Sequence, residues 1–228
     1  MPVVIHRRPE DAAVLLVADI PTLGLPMRDR EPPDRGGLSK LSCVRGNRIF
    51  LLGYARGAEL SNVHVGWTFW ADMLNRGHRL VAVGGSDEHT PDETLDRRLG
   101  RPATVVFAEE LSERALLAGL RAGRVYVRTR GVDGPSIDFT ALSGKTTAVM
   151  GDRIVLPASL TLRAVTGRAH GQHLSWIRNG TVVRTDIIGG DGHASLTVTP
   201  RSGDWFSIVL RDDRGPTLFS NAIHVTRN

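Results

Sequence analysis

Apolar positions along this chain change their period part-way through. Trp67, Trp70, Ala71 and Leu74 fall at i, i+3, i+4 and i+7, which marks one apolar helical face. Gly77 follows at the left-handed position that ends such a helix. Residues 80–83 then read as a short buried strand, and residues 104–108 as a second, β-branched one. Ser112 suits the N-cap of another helix, with Leu111 and Leu116 at the spacing of a hydrophobic staple. That helix runs to Ala122 and stops at Gly123, and residues 125–127 make a third strand. Helix and strand alternating through short links predict part of an α/β layer or barrel.

From residue 136 the pattern becomes one of short alternating runs: 160–165, 174–177, 181–183, 194–199, 205–210 and 222–226. Turn dipeptides separate them. Asn179-Gly180 is the strongest hairpin signal, and Asp191-Gly192 and Arg214-Gly215 mark further turns. Strands at this spacing predict a β-sandwich of immunoglobulin-like type. Residues 1–57 are poorly defined. Residues 12–20 form an apolar run that suits a strand or a buried helix, and residues 21–38 read as a long loop rich in Pro, Gly and charge. A loop of that length counts against a complete unit there. The expected division is therefore 1–135 and 136–228.

Composition narrows the function classes. Of 228 residues, 41% are hydrophobic and 23% charged, as in ordinary globular proteins. The net charge of +5 raises a nucleic-acid partner. However, the basic residues are arginines apart from Lys40 and Lys145, they are scattered among Asp and Glu, and they form no basic stripe with interleaved aromatics, so no nucleic-acid partner is expected. Cys43 is the single cysteine, which excludes an intramolecular disulfide and a cysteine-based zinc site. The start, Met1-Pro2-Val3-Val4-Ile5 before His6-Arg7-Arg8, is the reverse of a signal peptide, and no apolar run reaches membrane-spanning length. A cytoplasmic protein without a membrane partner is expected.

The chemistry concentrates in one loop. Gly84-Gly85-Ser86-Asp87-Glu88-His89 follows the 80–83 strand directly. A carboxylate and an imidazole two residues apart suit Zn²⁺, Mn²⁺ or Fe²⁺, and the two glycines let the backbone turn sharply beside an ion. Ser86 lacks the Gly-x-Ser-x-Gly elbow of a serine nucleophile, and no phosphate-binding loop pattern occurs. Asn179-Gly180-Thr181 matches a glycosylation sequon but fits a hairpin turn better. His64 reads as a helix-start residue, and His78, His170, His173, His193 and His224 as solvent-facing ones.

The order of these motifs carries more information. Trp70 to Gly77, the Gly-Gly-Ser-Asp-Glu-His loop, Gly100-Arg101-Pro102-Ala103-Thr104-Val105-Val106-Phe107-Ala108-Glu109-Glu110-Leu111-Ser112 and Leu120-Arg121-Ala122-Gly123-Arg124-Val125-Tyr126-Val127 follow one another. Glu59-Leu60-Ser61-Asn62 precedes them, and Trp176-Ile177-Arg178-Asn179-Gly180 lies in the β-rich tail. From residue 59 to 228 this resembles the carbaryl-hydrolase-like branch of the PHP (polymerase and histidinol phosphatase) metallohydrolases. The resemblance implies a distorted (βα)7 barrel with two or three metal ions and a C-terminal sandwich. It also implies hydrolysis of phosphoesters or of carboxyl and carbamate esters of small molecules. It assigns Asp87 and His89 as the last metal ligands. His6, whose setting is similar to the family's Asn-His-Pro segment, is the further candidate ligand.

One element of the family pattern is missing: no His-x-His pair precedes the loop. Two ligands do not make a catalytic zinc site, which has three protein ligands and a water. The expectation is a truncated hydrolase with an incomplete ligand set, which self-associates through the open edges of its partial barrel. The alternative is a non-catalytic remnant or binding module that uses its sandwich for protein contacts.

Overall fold

The computed structural model describes residues 5–7, 13–17, 42–44, 47–51, 61–84 and 102–227. In chain order the strands are β1 (Ile5–Arg7), β2 (Ala13–Val17), β3 (Ser42–Val44), β4 (Asn47–Leu51), β5 (Leu80–Val83), β6 (Ala103–Ala108), β7 (Val125–Arg128), β8 (Ser136–Ser143) and β9 (Thr146–Val149). They continue as β10 (Arg153–Val155), β11 (Leu160–Gly167), β12 (His173–Arg178), β13 (Thr181–Ile187), β14 (His193–Val198), β15 (Trp205–Asp212), β16 (Gly215–Ser220) and β17 (Ile223–Thr226). Helix α1 (Ser61–Asn75) precedes β5, and α2 (Glu113–Ala122) lies between β6 and β7.

Local chemistry explains where the elements stop. Gly77 adopts φ +83 after α1. Ser112 accepts the Ala115 N–H at the start of α2, and Gly123 closes that helix at φ +74. Asn179 and Gly180, at φ 53 and +83, form the tight turn of the β12–β13 hairpin. The 12–20 run holds strand β2 rather than a helix.

Among the described residues a ten-stranded sheet runs β1-β2-β6-β7-β16-β15-β12-β13, with β17 pairing both β15 and β10. A four-stranded sheet, β14-β11-β8-β9, packs on one of its faces. Phe139, Leu160 and Leu162 from the small sheet meet Tyr126, Trp176, Phe206, Ile208 and Leu210 from the large one. The opposite face of the large sheet is covered by α1, α2 and β5. There Trp70, Ala71, Leu74 and Leu80 meet Val127, Ile177, Trp205 and Phe219, while Leu116 and Leu120 of α2 meet Val83, Val106 and Val125. Central strands are thus buried on both faces. Their apolar residues alternate between two cores, so Phe206 and Ile208 point one way while Trp205 and Val209 point the other.

This architecture corrects the expected fold class. A (βα)7 barrel needs parallel neighbours, whereas β6 pairs antiparallel with both β2 and β7. The reason lies in α2. The Phe107 N–H donates to the Arg124 carbonyl at 2.9 Å, so the chain leaves and re-enters the sheet at the same end of β6. Strand β7 can then only run antiparallel, and it continues into the sandwich by pairing with β16. The parallel ladder in this part of the chain is β4–β5, in a separate three-stranded sheet with β3. The two packed sheets fit a β-sandwich, for which the expected boundary was residue 136. The large sheet crosses that boundary and takes in β1, β2, β6 and β7.

Candidate functional site

Every residue of β5 is buried, and β4 occupies one of its edges. Among the described residues its other edge forms no ladder, and side chains satisfy it instead. The Trp70 indole donates to the Leu80 carbonyl at 2.9 Å. Asn221 Oδ1 accepts the Ala82 N–H and its Nδ2 donates to the Ala82 carbonyl, both at 2.8 Å. Thr104 Oγ1 accepts the Gly84 N–H and donates to the Gly84 carbonyl, again at 2.8 Å each. Residues 80, 82 and 84 share one side of the strand, because backbone groups of alternate residues point the same way. Three side chains from α1, β6 and the β16–β17 connection therefore replace a missing neighbour strand, and buried backbone groups stay paired.

The grip ends where the Asp87-His89 loop begins. A Cβ on Gly84 would lie 2.6 Å from Val127 Cγ1 and 3.0 Å from Pro102 Cβ, so only glycine fits between these side chains. Asp87 and His89 themselves lie outside the described residues, as does the 21–38 segment. His6 is on strand β1, opposite Val14 of β2. Strands β2 and β6 separate it from β7, against which β5 packs. Among the described residues no group of three or more His, Cys, Asp or Glu is placed to hold a metal ion. Also among them, no helix is long and apolar enough to cross a membrane. Thr104, Asn221 and Trp70 were invisible as site residues in the sequence, because Asn221 and Ala82 are 139 positions apart.

At the opposite end of β5 a cleft of about 340 Å³ opens between the start of that strand, the end of α2, the β9–β10 turn and β17. Arg79, Arg121, Arg153, Asp152 and His224 line it. Its floor is a backbone crossing in which Gly151, at φ +87, passes against Ala122 and Gly123. Arg79 donates to the Gly151 carbonyl at 2.5 Å, and the Gly151 N–H donates to Ala222 at 2.8 Å. His224, expected to face solvent, is instead partly buried here, opposite Arg153 in the β10–β17 ladder and Trp205 in the β15–β17 pairing.

Burial first, then the Arg79 and Arg153 guanidiniums, lowers the His224 pKa from 6.5 to about 4, with Asp152 the nearby acidic group. The unfolded chain takes up this proton as pH falls through 6.5, and the folded chain only near 4. Stability at His224 is therefore complete above 6.5 and is lost as pH falls to 4. At about 1.4 kcal/mol for each tenfold change in proton affinity, the loss reaches up to about 3 kcal/mol. Urea midpoints of wild type and His224→Gln between these pH values should converge as pH falls. Parallel curves would show that His224 does not titrate in this way.

No protein-family model matches the chain, and no curated protein or solved structure matches it either.

Proposed function

We propose that this chain acts as part of a PHP-type metal-dependent hydrolase of small-molecule esters, with Asp87 and His89 binding a divalent metal. The observation that supports this most is the gripped root of the loop. Gly84 is clamped through both backbone groups by Thr104, in a space that a Cβ would fill. A solvated surface loop needs no such base, whereas metal ligands need a loop whose origin does not move. The donor set fits as well, since one carboxylate and one imidazole suit Zn²⁺, Mn²⁺ or Fe²⁺. His6 is the candidate third ligand. A bound metal would activate a water and polarise the scissile carbonyl or phosphoryl group. The chain's own part is positional: Trp70, Asn221 and Thr104 hold β5, and Gly84 is packed against Pro102 and Val127 at the root of the loop. The barrel is no part of this reading.

Titration calorimetry with Zn²⁺ and Mn²⁺ tests it. Wild type should bind, and Asp87→Ala and His89→Ala should each weaken binding about tenfold or more, roughly 1.4 kcal/mol. The far-ultraviolet dichroism should stay unchanged, since the loop begins after the gripped strand ends. Equal binding by all three proteins would end the metal reading. The second reading, a non-catalytic module making protein contacts, would then take over. Val182, Val183 and Ile187, exposed on edge strand β13, favour it.

A further inference from the structure

Strand β13 ends the large sheet, and among the described residues no strand pairs with its outer edge. The Ile188 N–H donates to the Gln172 carbonyl at 2.9 Å, toward β12. Backbone direction alternates along a strand, so residues 184 and 186 also turn toward β12, while Thr185 and Ile187 present their N–H and C=O outward. Residues 184–187 stay in regular register with 173–176, beyond the bulge, and they hold no Pro and no Lys. The neighbouring edge, β14 of the small sheet, is different: its Ser195 carbonyl accepts from the Arg184 guanidinium. An open row of backbone groups beside exposed Val182, Val183 and Ile187 is a template for a further strand.

The residues of the strand select the partner. Reversed against itself with Thr185 on a two-fold axis, β13 sets Arg184 opposite Asp186 of a second copy, and Val183 opposite Ile187. Thr185 then meets Thr185. Opposite charges and β-branched residues facing each other stabilise an antiparallel pair. Registers centred on Arg184 or on Asp186 would set like charges directly opposite, which is unfavourable. The charged atoms are available for this. Arg184 holds its own Asp186 through Nε and Nη2 on Oδ2, while among the described residues Arg184 Nη1 and Asp186 Oδ1 hold no hydrogen bond.

We propose that β13 joins two copies of this chain into a symmetric dimer, by antiparallel pairing centred on Thr185. The Thr185 N–H of each copy donates to the Thr185 carbonyl of the other, and Ile187 extends the ladder toward Val183. The two large sheets become one continuous sheet across the axis. Arg184 and Asp186 line one face of the junction, and Thr185 and Ile187 the other. A two-fold contact is self-complementary and consumes both open edges, so this contact stops at two copies. The pairing needs neither Asp87 nor His89. It names a partner for the protein-contact reading without depending on it.

Sedimentation velocity of the full chain over a wide range of concentration tests the proposal. Wild type should form a dimer and no larger species. Thr185→Pro removes the N–H at the axis, and an edge strand tolerates Pro where its N–H faces outward, so the fold should survive. That variant should weaken dimerisation about tenfold or more, and Ile187→Lys should do the same by setting a cation against Val183. Far-ultraviolet dichroism of both should match wild type. In a Cys43→Ser background, which removes the single cysteine, a short thiol-to-thiol reagent should join Thr185→Cys chains in pairs. Directly opposite Cβ atoms in such a ladder lie only about 5 Å apart. His89→Ala should dimerise like wild type, which separates this contact from the metal reading. A monomer at every concentration would overturn the proposal. So would a dimer that Thr185→Pro and Ile187→Lys leave intact, Thr185→Cys chains that dimerise without being joined, or dimerisation lost in His89→Ala.

Discussion

Gly151→Ala is expected to destabilise the protein by about 3 kcal/mol or more, enough to lower its melting temperature by roughly 10 °C for a chain of this size. Two independent penalties add. At φ +87 the residue lies in the left-handed region, where a side chain costs about 1–2 kcal/mol. The new Cβ would also stand 1.8 Å from the Ala122 carbonyl oxygen and 2.8 Å from Ala122 C and Gly123 C. All three are backbone atoms, so no rotamer change relieves the contact. The end of α2 would have to part from the β9–β10 turn, opening the floor of the cleft and disturbing the anchor of Arg79. Gly144→Ala is the internal control. Its φ is +57 and nothing lies within 4 Å of the added Cβ, so it carries the backbone penalty alone. Urea denaturation of the two variants side by side should separate them by about 2 kcal/mol. Equal losses would mean that the crossing at Gly151 is looser than described.

Features with local causes were legible in the sequence. Asn179-Gly180 turns because both residues tolerate positive φ, and Ser112 and Gly123 bound α2 with groups a few positions away. Strands β11, β12, β15 and β17 show the alternation or apolar density that their burial requires. What failed was direction and partnership. A strand, a helix and a strand in succession read the same whether the two strands run parallel or antiparallel. The Phe107–Arg124 hydrogen bond that decides it is visible only in three dimensions. The β7–β16 pairing, which joins residues 126–128 to 218–220, leaves no local trace either. Strand β8 lies outside the runs read from the sequence, although Ile137, Phe139 and Ala141 alternate into the core. The same limit applies to the sites. Asp87-x-His89 is a local motif and could be read. The Thr104 and Asn221 grips, and a cleft assembled from Arg79, Arg121, Arg153 and His224, have no spacing to recognise.

Asn221→Ala should be comparably damaging, and it links the fold to the proposed metal loop. Asn221 is 2% exposed, sitting where the chain breaks between β16 and β17. Its side chain satisfies the Ala82 N–H and carbonyl and donates to the Val125 carbonyl at 2.9 Å. Removing it leaves both Ala82 groups buried without partners, whereas Val125 keeps the Asn221 backbone N–H at 3.3 Å. Each buried orphan costs about 1–3 kcal/mol, so a loss of about 3 kcal/mol is expected. Asn221→Asp should be no milder. The carboxylate still accepts from Ala82, but it has no N–H for the two carbonyls and turns a negative charge toward them. Under conditions where the alanine variant remains folded, β5 keeps its Trp70 and Thr104 grips but loses the middle one, and the loop beyond Gly84 gains freedom. Zn²⁺ affinity should then fall about tenfold, as when the groups supporting metal ligands are removed. Denaturation midpoints and Zn²⁺ titrations of the same samples read the two effects separately. An unchanged midpoint would show that β5 is held by something other than Asn221. A lowered midpoint with unchanged Zn²⁺ affinity would show that the strand does not position the ligands.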